Sequence, residues 1–226
     1  MTAALPRHTL VWPAAAAHRR LAAQVDDAEA RVAIDTWFTE RLPFIVRRPD
    51  AGAPAALTAI ALGLPLPPAQ GKRRIALQIA SGDIAHHTPP PALDRVAALL
   101  PSPWRDALTA LDRDARALGV RLRVFGSAAW QALTGRDYLH GASDLDILYR
   151  ADHAQELAAV LALFARWERR GPIRLDGEIV FPGEHAVAWR EWSSGEAAVM
   201  AKHLDGPALV ARTELAARLA TSAAPA

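Results

Sequence analysis

Apolar positions in the second half of the chain recur with the periods of helices and strands in turn. Leu108, Leu111, Ala115 and Leu118 lie on one face of a helix that Gly119 ends. Similar patterns predict a strand over residues 120–125, a short helix ending near 133, a strand over 143–149, a long helix after 152, strands over 173–181 and 185–192, and two final helices, the last from 207 to about 220. Strands that alternate with helices indicate a domain in which helices pack on a sheet.

The first half of the chain has shorter apolar runs that prolines interrupt. Ile75, Leu77 and Ile79 occupy alternate positions, which predicts a strand with one buried face, and a helix is predicted over about 28–41. Three consecutive prolines favour an extended linker within residues 86–91. The chain is therefore predicted to consist of a small α+β module over residues 1–85 and a larger domain over residues 92–226.

Composition narrows the class of protein. Of the 226 residues, 51% are hydrophobic and 22% are charged, which is an ordinary balance for a globular protein. The absence of cysteine excludes disulfides, thiolate metal sites and cysteine nucleophiles, and it agrees with an expected cytoplasmic location. The net charge of +2 is too small to indicate nucleic-acid binding, and no apolar run approaches the roughly 20 residues of a membrane helix. We therefore expect neither nucleic acid nor membrane as a partner.

Two carboxylates lie in one of the predicted strands. Asp144 and Asp146 are separated by a single residue, so in a strand they share one face. Carboxylates in an apolar strand are costly to bury unless something neutralises their charge. Mg²⁺ binds through one or two carboxylates together with substrate phosphates. The pattern predicts that Asp144 and Asp146 ligate Mg²⁺ or Mn²⁺ and are catalytic.

The segment before these carboxylates has the features of a phosphate-binding turn. Gly126 and Ser127 stand between a predicted strand and a predicted helix. A glycine there allows the backbone to approach a phosphate closely, and a helix N-terminus presents free N–H groups to an anion. Gly126 and Ser127 are therefore predicted to bind substrate phosphate, with Ser127 acting as a hydrogen-bond donor and not as a nucleophile. Alone, a Gly-Ser pair is more often a simple turn.

These motifs are parts of a wider resemblance that runs through both halves of the chain. The matching segments are residues 46–48, 63–68, 126–135, 138–139, 143–148, 175–178 and 188–191. Together they resemble the malonate decarboxylase holo-acyl-carrier-protein synthases, also called phosphoribosyl-dephospho-CoA transferases. That family is part of the nucleotidyltransferase superfamily of the DNA polymerase β type.

The resemblance implies a fold, a reaction and partners. It implies an α+β protein with a polymerase-β-like nucleotidyltransferase domain built on a small mixed sheet, preceded by a smaller α+β module. The implied reaction moves phosphoribosyl-dephospho-CoA from 2′-(5″-triphosphoribosyl)-3′-dephospho-CoA to a serine of the apo acyl-carrier subunit of malonate decarboxylase. Pyrophosphate leaves, and a divalent metal is required. The nucleophile then belongs to the partner protein.

A third carboxylate on a neighbouring strand is usual in this superfamily. Asp176 and Glu178 share one face of a predicted strand, and both are candidate metal ligands. Asp176 is preferred as the third catalytic carboxylate because it follows Leu175 in the usual hydrophobic-Asp order. The alternative is that Asp176 and Gly177 form a simple turn.

Cations are needed for the phosphates of such a substrate. Arg47 and Arg48 follow an apolar run in the first half, and Lys202 is predicted on a helix after the sheet. All three are candidate substrate-binding residues, although isolated cations of this kind more often belong to a solvated basic surface.

Two other functions remain open from the sequence. A nucleotidyltransferase could use an ordinary nucleoside triphosphate on a small molecule or protein. A protein of this fold could also bind ligands without catalysis, although the presence of both Asp144 and Asp146 argues that catalytic activity has not been lost.

Overall fold

The computed structural model describes residues 5–49 and 59–221. Within them the chain is a mixed α+β protein with two sheets and eight α-helices, as the sequence predicted at the level of fold class. It divides into two compact units, Met1–Pro90 and Pro91–Ala226. No helix of the described part of the chain is long and apolar enough to cross a membrane.

The first unit is built on a five-stranded antiparallel sheet. Its strands are β1 (Leu10–Pro13), β2 (Phe44–Val46), β3 (Ala59–Pro65), β4 (Arg74–Ala80) and β5 (Ile84–Thr88), in the order β4-β3-β2-β1-β5. Two helices, α1 (His18–Ala22) and α2 (Ala28–Thr39), belong to this unit. Ile75, Leu77 and Ile79 are buried at alternate positions of β4, which confirms the predicted strand.

The start of the proposed linker is part of this sheet. His86 and His87 lie in β5, where they pair with Trp12 and Val11 of β1. The two units divide after Pro90, so the first unit extends five residues beyond the predicted limit of residue 85.

The second unit is built on a six-stranded mixed sheet. Its strands are β6 (Arg123–Val124), β7 (Leu145–Arg150), β8 (Leu175–Phe181), β9 (His185–Ala188), β10 (Ala198–His203) and β11 (Gly206–Ala211), and their order in the sheet is the reverse of their order in the chain. β7 and β8 are parallel, and all the other pairs are antiparallel. The helices are α3 (Leu93–Leu99), α4 (Trp104–Ala117), α5 (Gly126–Thr134), α6 (Ala154–Arg170), α7 (Trp189–Ser193) and α8 (Arg212–Thr221).

The largest departure from the prediction is the β10–β11 hairpin, which replaces one predicted helix and the start of another. Val199 and Ala201 are fully buried while Met200 between them is 40% exposed, which is strand alternation. Lys202 therefore lies on a strand and not on the predicted helix. Pro207 lies in β11, an edge strand, where the missing N–H of proline is tolerated.

The hydrophobic core of the second unit lies on one face of its sheet. Leu145, Ile147 and Tyr149 of β7 pack there with apolar residues of the helices. Because side chains alternate along a strand, Asp146 and Leu148 belong to the opposite face. A small apolar cluster on that opposite face consists of Leu148, Val180 and Ala186, with Phe125 packed against it. The sheet thus separates the main core from the face that carries the carboxylates.

Replacing Phe164 with alanine should destabilise the second unit strongly. Phe164 of α6 is fully buried and meets the Trp189 ring edge-on, with 5.9 Å between the ring centroids. Removing a buried aromatic ring from such a core costs roughly 3–5 kcal/mol. Urea unfolding should show that loss, while the exposed variant Val32→Ala should change the free energy of unfolding by less than about 0.5 kcal/mol. A loss below about 1 kcal/mol for Phe164→Ala would contradict the packing described here.

Candidate active site

The structure brings the predicted carboxylates together on two neighbouring strands. Asp146 is the second residue of β7, and Asp144 directly precedes that strand. In the parallel ladder, Asp146 pairs with Asp176, and Leu148 pairs with Glu178. Asp176 and Gly177 are therefore part of β8, and the alternative that they form a turn is wrong.

Asp146 is the most perturbed of these carboxyl groups. Its pKa is raised from 3.8 to about 7, first by burial and then by the nearby charges of Asp176, Asp144 and Glu178 in that order of importance. A hydrogen bond from the backbone N–H of Ser127 opposes part of this rise. No lysine, arginine or histidine in residues 5–49 and 59–221 forms an ion pair with Asp146, so its charge is poorly compensated.

Each of the other three carboxylates has a cation beside it. Asp144 Oδ2 accepts a hydrogen bond from Arg174 Nη1 at 2.9 Å. Asp176 Oδ1 is 3.7 Å from Arg190 Nη1, and Glu178 Oε1 is 2.8 Å from Lys202 Nζ.

Arg190 is anchored by more than its contact with Asp176. Its Nη2 donates to both carboxylate oxygens of Glu168 and to the Leu175 carbonyl oxygen, each at 2.8 Å. Sequence reasoning missed both Arg174 and Arg190 as partners of the carboxylates. The position of Arg174, two residues before Asp176 on the way into the same strand, was the available signal for one of them.

Gly126 makes room for Asp146. Its φ is +66°, and a Cβ added there would overlap Asp146 Oδ2 and lie only 3.0 Å from Asp146 Cβ. The Phe125 N–H also donates to the Asp146 carbonyl oxygen at 3.0 Å. The turn at Gly126 and Ser127, which the sequence analysis assigned to a substrate phosphate, thus contacts Asp146 directly. Its role towards substrate stays a prediction.

Comparison with known proteins supplies the family. A model of the phosphoribosyl-dephospho-CoA transferase MdcG C-terminal domain matches residues 92–213, and a model of the corresponding N-terminal domain matches residues 6–90. The chain belongs to this family.

Individual relatives agree with this assignment. A phosphoribosyl-dephospho-CoA transferase of Xanthomonas campestris pv. campestris is 42% identical over 92% of this chain and 95% of its own length. The proteins of the same name from Bradyrhizobium diazoefficiens and Azotobacter vinelandii are 38% and 33% identical, over 91% and 79% of this chain and 90% and 84% of their own lengths. No solved structure matches the chain.

The carboxylates of this family member suit a divalent cation that shares its ligands with a substrate. They offer hard oxygen donors, which Mg²⁺ and Mn²⁺ prefer. In the described parts of the chain, no three His, Asp or Glu side chains form a ready-made metal site. Mg²⁺ commonly takes only one or two carboxylates and completes its shell with water and phosphate oxygens. Asp146, which is partly buried and has no cation partner among the described residues, fits such an open site best.

Arg47 and Arg48 belong to the first unit. Arg47 Nε donates to the Leu62 carbonyl oxygen at 3.1 Å, and its Nη1 donates to the Arg48 carbonyl oxygen at 3.0 Å. The side chain of Arg47 is therefore held against its own sheet, while Arg48 is exposed. Their predicted contact with substrate phosphates stays a prediction.

Proposed function

We propose that this chain transfers the phosphoribosyl-dephospho-CoA group from triphosphoribosyl-dephospho-CoA to a serine of the apo acyl-carrier subunit of malonate decarboxylase. The serine oxygen forms a bond to the innermost phosphorus of the 5″-triphosphate, the bond from that phosphorus to the pyrophosphate oxygen breaks, and the serine proton is released. The observation that carries the proposal is the match to both domain models of one transferase family, in order, over most of the chain.

The carboxylate cluster supports a metal-dependent phosphoryl transfer. Asp146, Asp144 and Asp176 would hold Mg²⁺ or Mn²⁺, which would neutralise charge on the triphosphate. The raised pKa of Asp146 reflects its burial first and the crowding of negative charge second, and such a cation would offset both. Gly126 leaves room for the Asp146 carboxylate, and Asp176, with a side chain that is 54% exposed, is the candidate acceptor for the serine proton.

The arrangement of elements supports a polymerase-β-like nucleotidyltransferase domain. A strand leads into the Gly126 turn and α5, the next strand follows Asp144 and carries Asp146 near its start, and the parallel strand beside it carries Asp176. This order matches the superfamily pattern inferred from the sequence. Within the proposal, the chain needs no nucleophile of its own, because the attacking serine comes from the carrier. The cytoplasmic location and the lack of nucleic-acid binding stay predictions.

Pyrophosphate release measures the proposed reaction without labelling either partner. The chain, Mg²⁺, triphosphoribosyl-dephospho-CoA and the apo carrier should release one pyrophosphate for each carrier, and a carrier whose acceptor serine is replaced by alanine should release none. Release that requires ATP instead of triphosphoribosyl-dephospho-CoA would favour the ordinary nucleotidyltransferase. No release with any donor, from a chain that still binds the donor, would favour a non-catalytic protein.

A further inference from the structure

Glu178 is an unusual residue for the interior of a strand. It is 6% exposed, and among the described residues only Glu178 and Thr9 are both buried and polar or charged. A buried carboxylate without a counter-charge is strongly destabilising. The Lys202 ammonium 2.8 Å from Glu178 Oε1 supplies that counter-charge.

The ion pair spans an intervening strand. Glu178 lies on β8 and Lys202 on β10, with β9 between them. The β9 residue opposite Glu178 is Ala188, and the one opposite Lys202 is Ala186. Both are small, so the stem of Lys202 can cross β9 on this face of the sheet to reach Glu178. Larger side chains at Ala186 and Ala188 would obstruct that crossing.

The crossing brings a cation to the carboxylate site. Glu178 and Asp176 are two residues apart on the same face of β8, about 7 Å along the strand. The side chain of Lys202 is 41% exposed, and an ammonium group has three N–H donors, of which Glu178 Oε1 takes one. The remaining donors are available to an anion beside the carboxylates. The oxygen of Glu178 that faces Lys202 is correspondingly less available to a metal than the carboxylate of Asp176, whose nearest cation lies 3.7 Å away.

We propose that Glu178 is a positioning residue that holds Lys202 where it binds the pyrophosphate end of the substrate triphosphate, and that Glu178 does not ligate the metal. This inference rests on the proposed function and revises the sequence-based assignment of Glu178 to the metal. Lys202 would stabilise the negative charge that develops on pyrophosphate as it leaves. In this arrangement Asp146, Asp144 and Asp176 would bind the metal, and Lys202 would bind the polyphosphate anion beside it.

Two binding measurements and a kinetic one test the pair. Glu178→Gln, Lys202→Met and the double variant are compared with Glu214→Gln, which breaks a surface ion pair to Arg218 in the same unit. Mn²⁺ binding is measured by electron paramagnetic resonance. Binding of inorganic pyrophosphate is measured by calorimetry at constant free Mg²⁺, and kcat and KM are measured for transfer. Thermal melting checks that each variant is folded.

The expected results separate positioning from ligation. Glu178→Gln and Lys202→Met should each weaken pyrophosphate binding about 10-fold and lower kcat about 10- to 100-fold, while the Mn²⁺ dissociation constant stays within about twofold of the wild type. The double variant should be no worse than Lys202→Met, because the two residues act as one unit. Glu214→Gln should change none of these quantities.

Other results would overturn the inference. If Glu178→Gln weakens Mn²⁺ binding as much as Asp146→Asn does, Glu178 is a metal ligand. If the losses of Glu178→Gln and Lys202→Met multiply in the double variant, Glu178 does not act through Lys202. Should Glu178→Gln fail to fold, pyrophosphate binding by Lys202→Met decides whether Lys202 contacts the anion. A wild type that binds pyrophosphate and Mn²⁺ but transfers nothing to the carrier would refute the proposed function. The binding measurements on Glu178→Gln and Lys202→Met would still test whether Glu178 positions Lys202.

Discussion

Asp146→Asn should abolish transfer and at the same time stabilise the metal-free protein. The activity loss is expected to be on the order of 1,000-fold or more, because the substitution removes the carboxylate best placed to hold the metal. The gain in stability follows first from the burial of the Asp146 carboxylate and then from its crowding by Asp176, Asp144 and Glu178. Above pH 7 the gain should be roughly 1–3 kcal/mol by urea unfolding.

The raised pKa of Asp146 also predicts that the metal-free protein becomes less stable as the pH rises. Because the pKa of Asp146 is raised from 3.8 to about 7 in the folded protein, the native state binds more protons than the unfolded state between these values. Without metal, the free energy of unfolding of the wild type should therefore carry a contribution that is present below pH 4 and is lost as the pH rises to about 7. Asp146→Asn should lack this contribution.

Bound metal should make the wild type more stable than Asp146→Asn, the reverse of their order without metal. Mg²⁺ that binds the folded wild type should raise its melting temperature, whereas Asp146→Asn should respond little. Exposed Asp205→Asn, in the β10–β11 turn, is the control for the general effect of removing a carboxylate. Equal responses of the wild type and Asp146→Asn to Mg²⁺ would count against metal binding at this residue.

Gly126→Ala should also disable the enzyme, although it removes no functional group. The added Cβ would overlap Asp146 Oδ2, so either the turn or the carboxylate must move. A displacement of about 1 Å at a reacting centre can cost roughly 100-fold in rate, and we expect a loss in kcat of at least that order. The left-handed backbone adds roughly 1–2 kcal/mol of destabilisation for alanine.

Gly135→Ala is the matched control for this substitution. Gly135 ends the same helix, its φ is +68°, and a Cβ there would meet nothing within 4 Å. It should cost a similar 1–2 kcal/mol through its backbone and leave kcat within about twofold of the wild type. If the two variants transfer at equal rates, the contact between Gly126 and Asp146 has no role in transfer.

The carboxylate site was predictable because its main signal is local. Two pairs of carboxylates, Asp144 with Asp146 and Asp176 with Glu178, are each two residues apart in predicted strands, and strand periodicity fixes which side chains share a face. The family resemblance alone placed Asp176 on a strand next to Asp146, and the long helix between β7 and β8, a usual crossover between parallel strands, is a second signal that agrees with it.

The cations of the site were less predictable because they depend on tertiary structure. Arg190 reaches Asp176 from α7, a helix that begins at Trp189 within the segment predicted as a strand over 185–192. Lys202 was assigned to the wrong kind of element, since Ser193 and Glu196 have the spacing of a capping box that would begin a helix before it. Pairing of β10 with β11 on one side and β9 on the other overrides this weak helical preference, because strand formation depends on tertiary context.

Intact mass spectrometry of the carrier tests the central claim most directly. The apo carrier is incubated with triphosphoribosyl-dephospho-CoA and either wild-type chain or Asp146→Asn, with Mg²⁺ or with chelator. We expect a mass gain equal to phosphoribosyl-dephospho-CoA only with the wild-type chain and Mg²⁺. A carrier that keeps its mass in the wild-type reaction would contradict the proposed transfer, and an equal gain with Asp146→Asn or chelator would contradict a metal-dependent centre at Asp146.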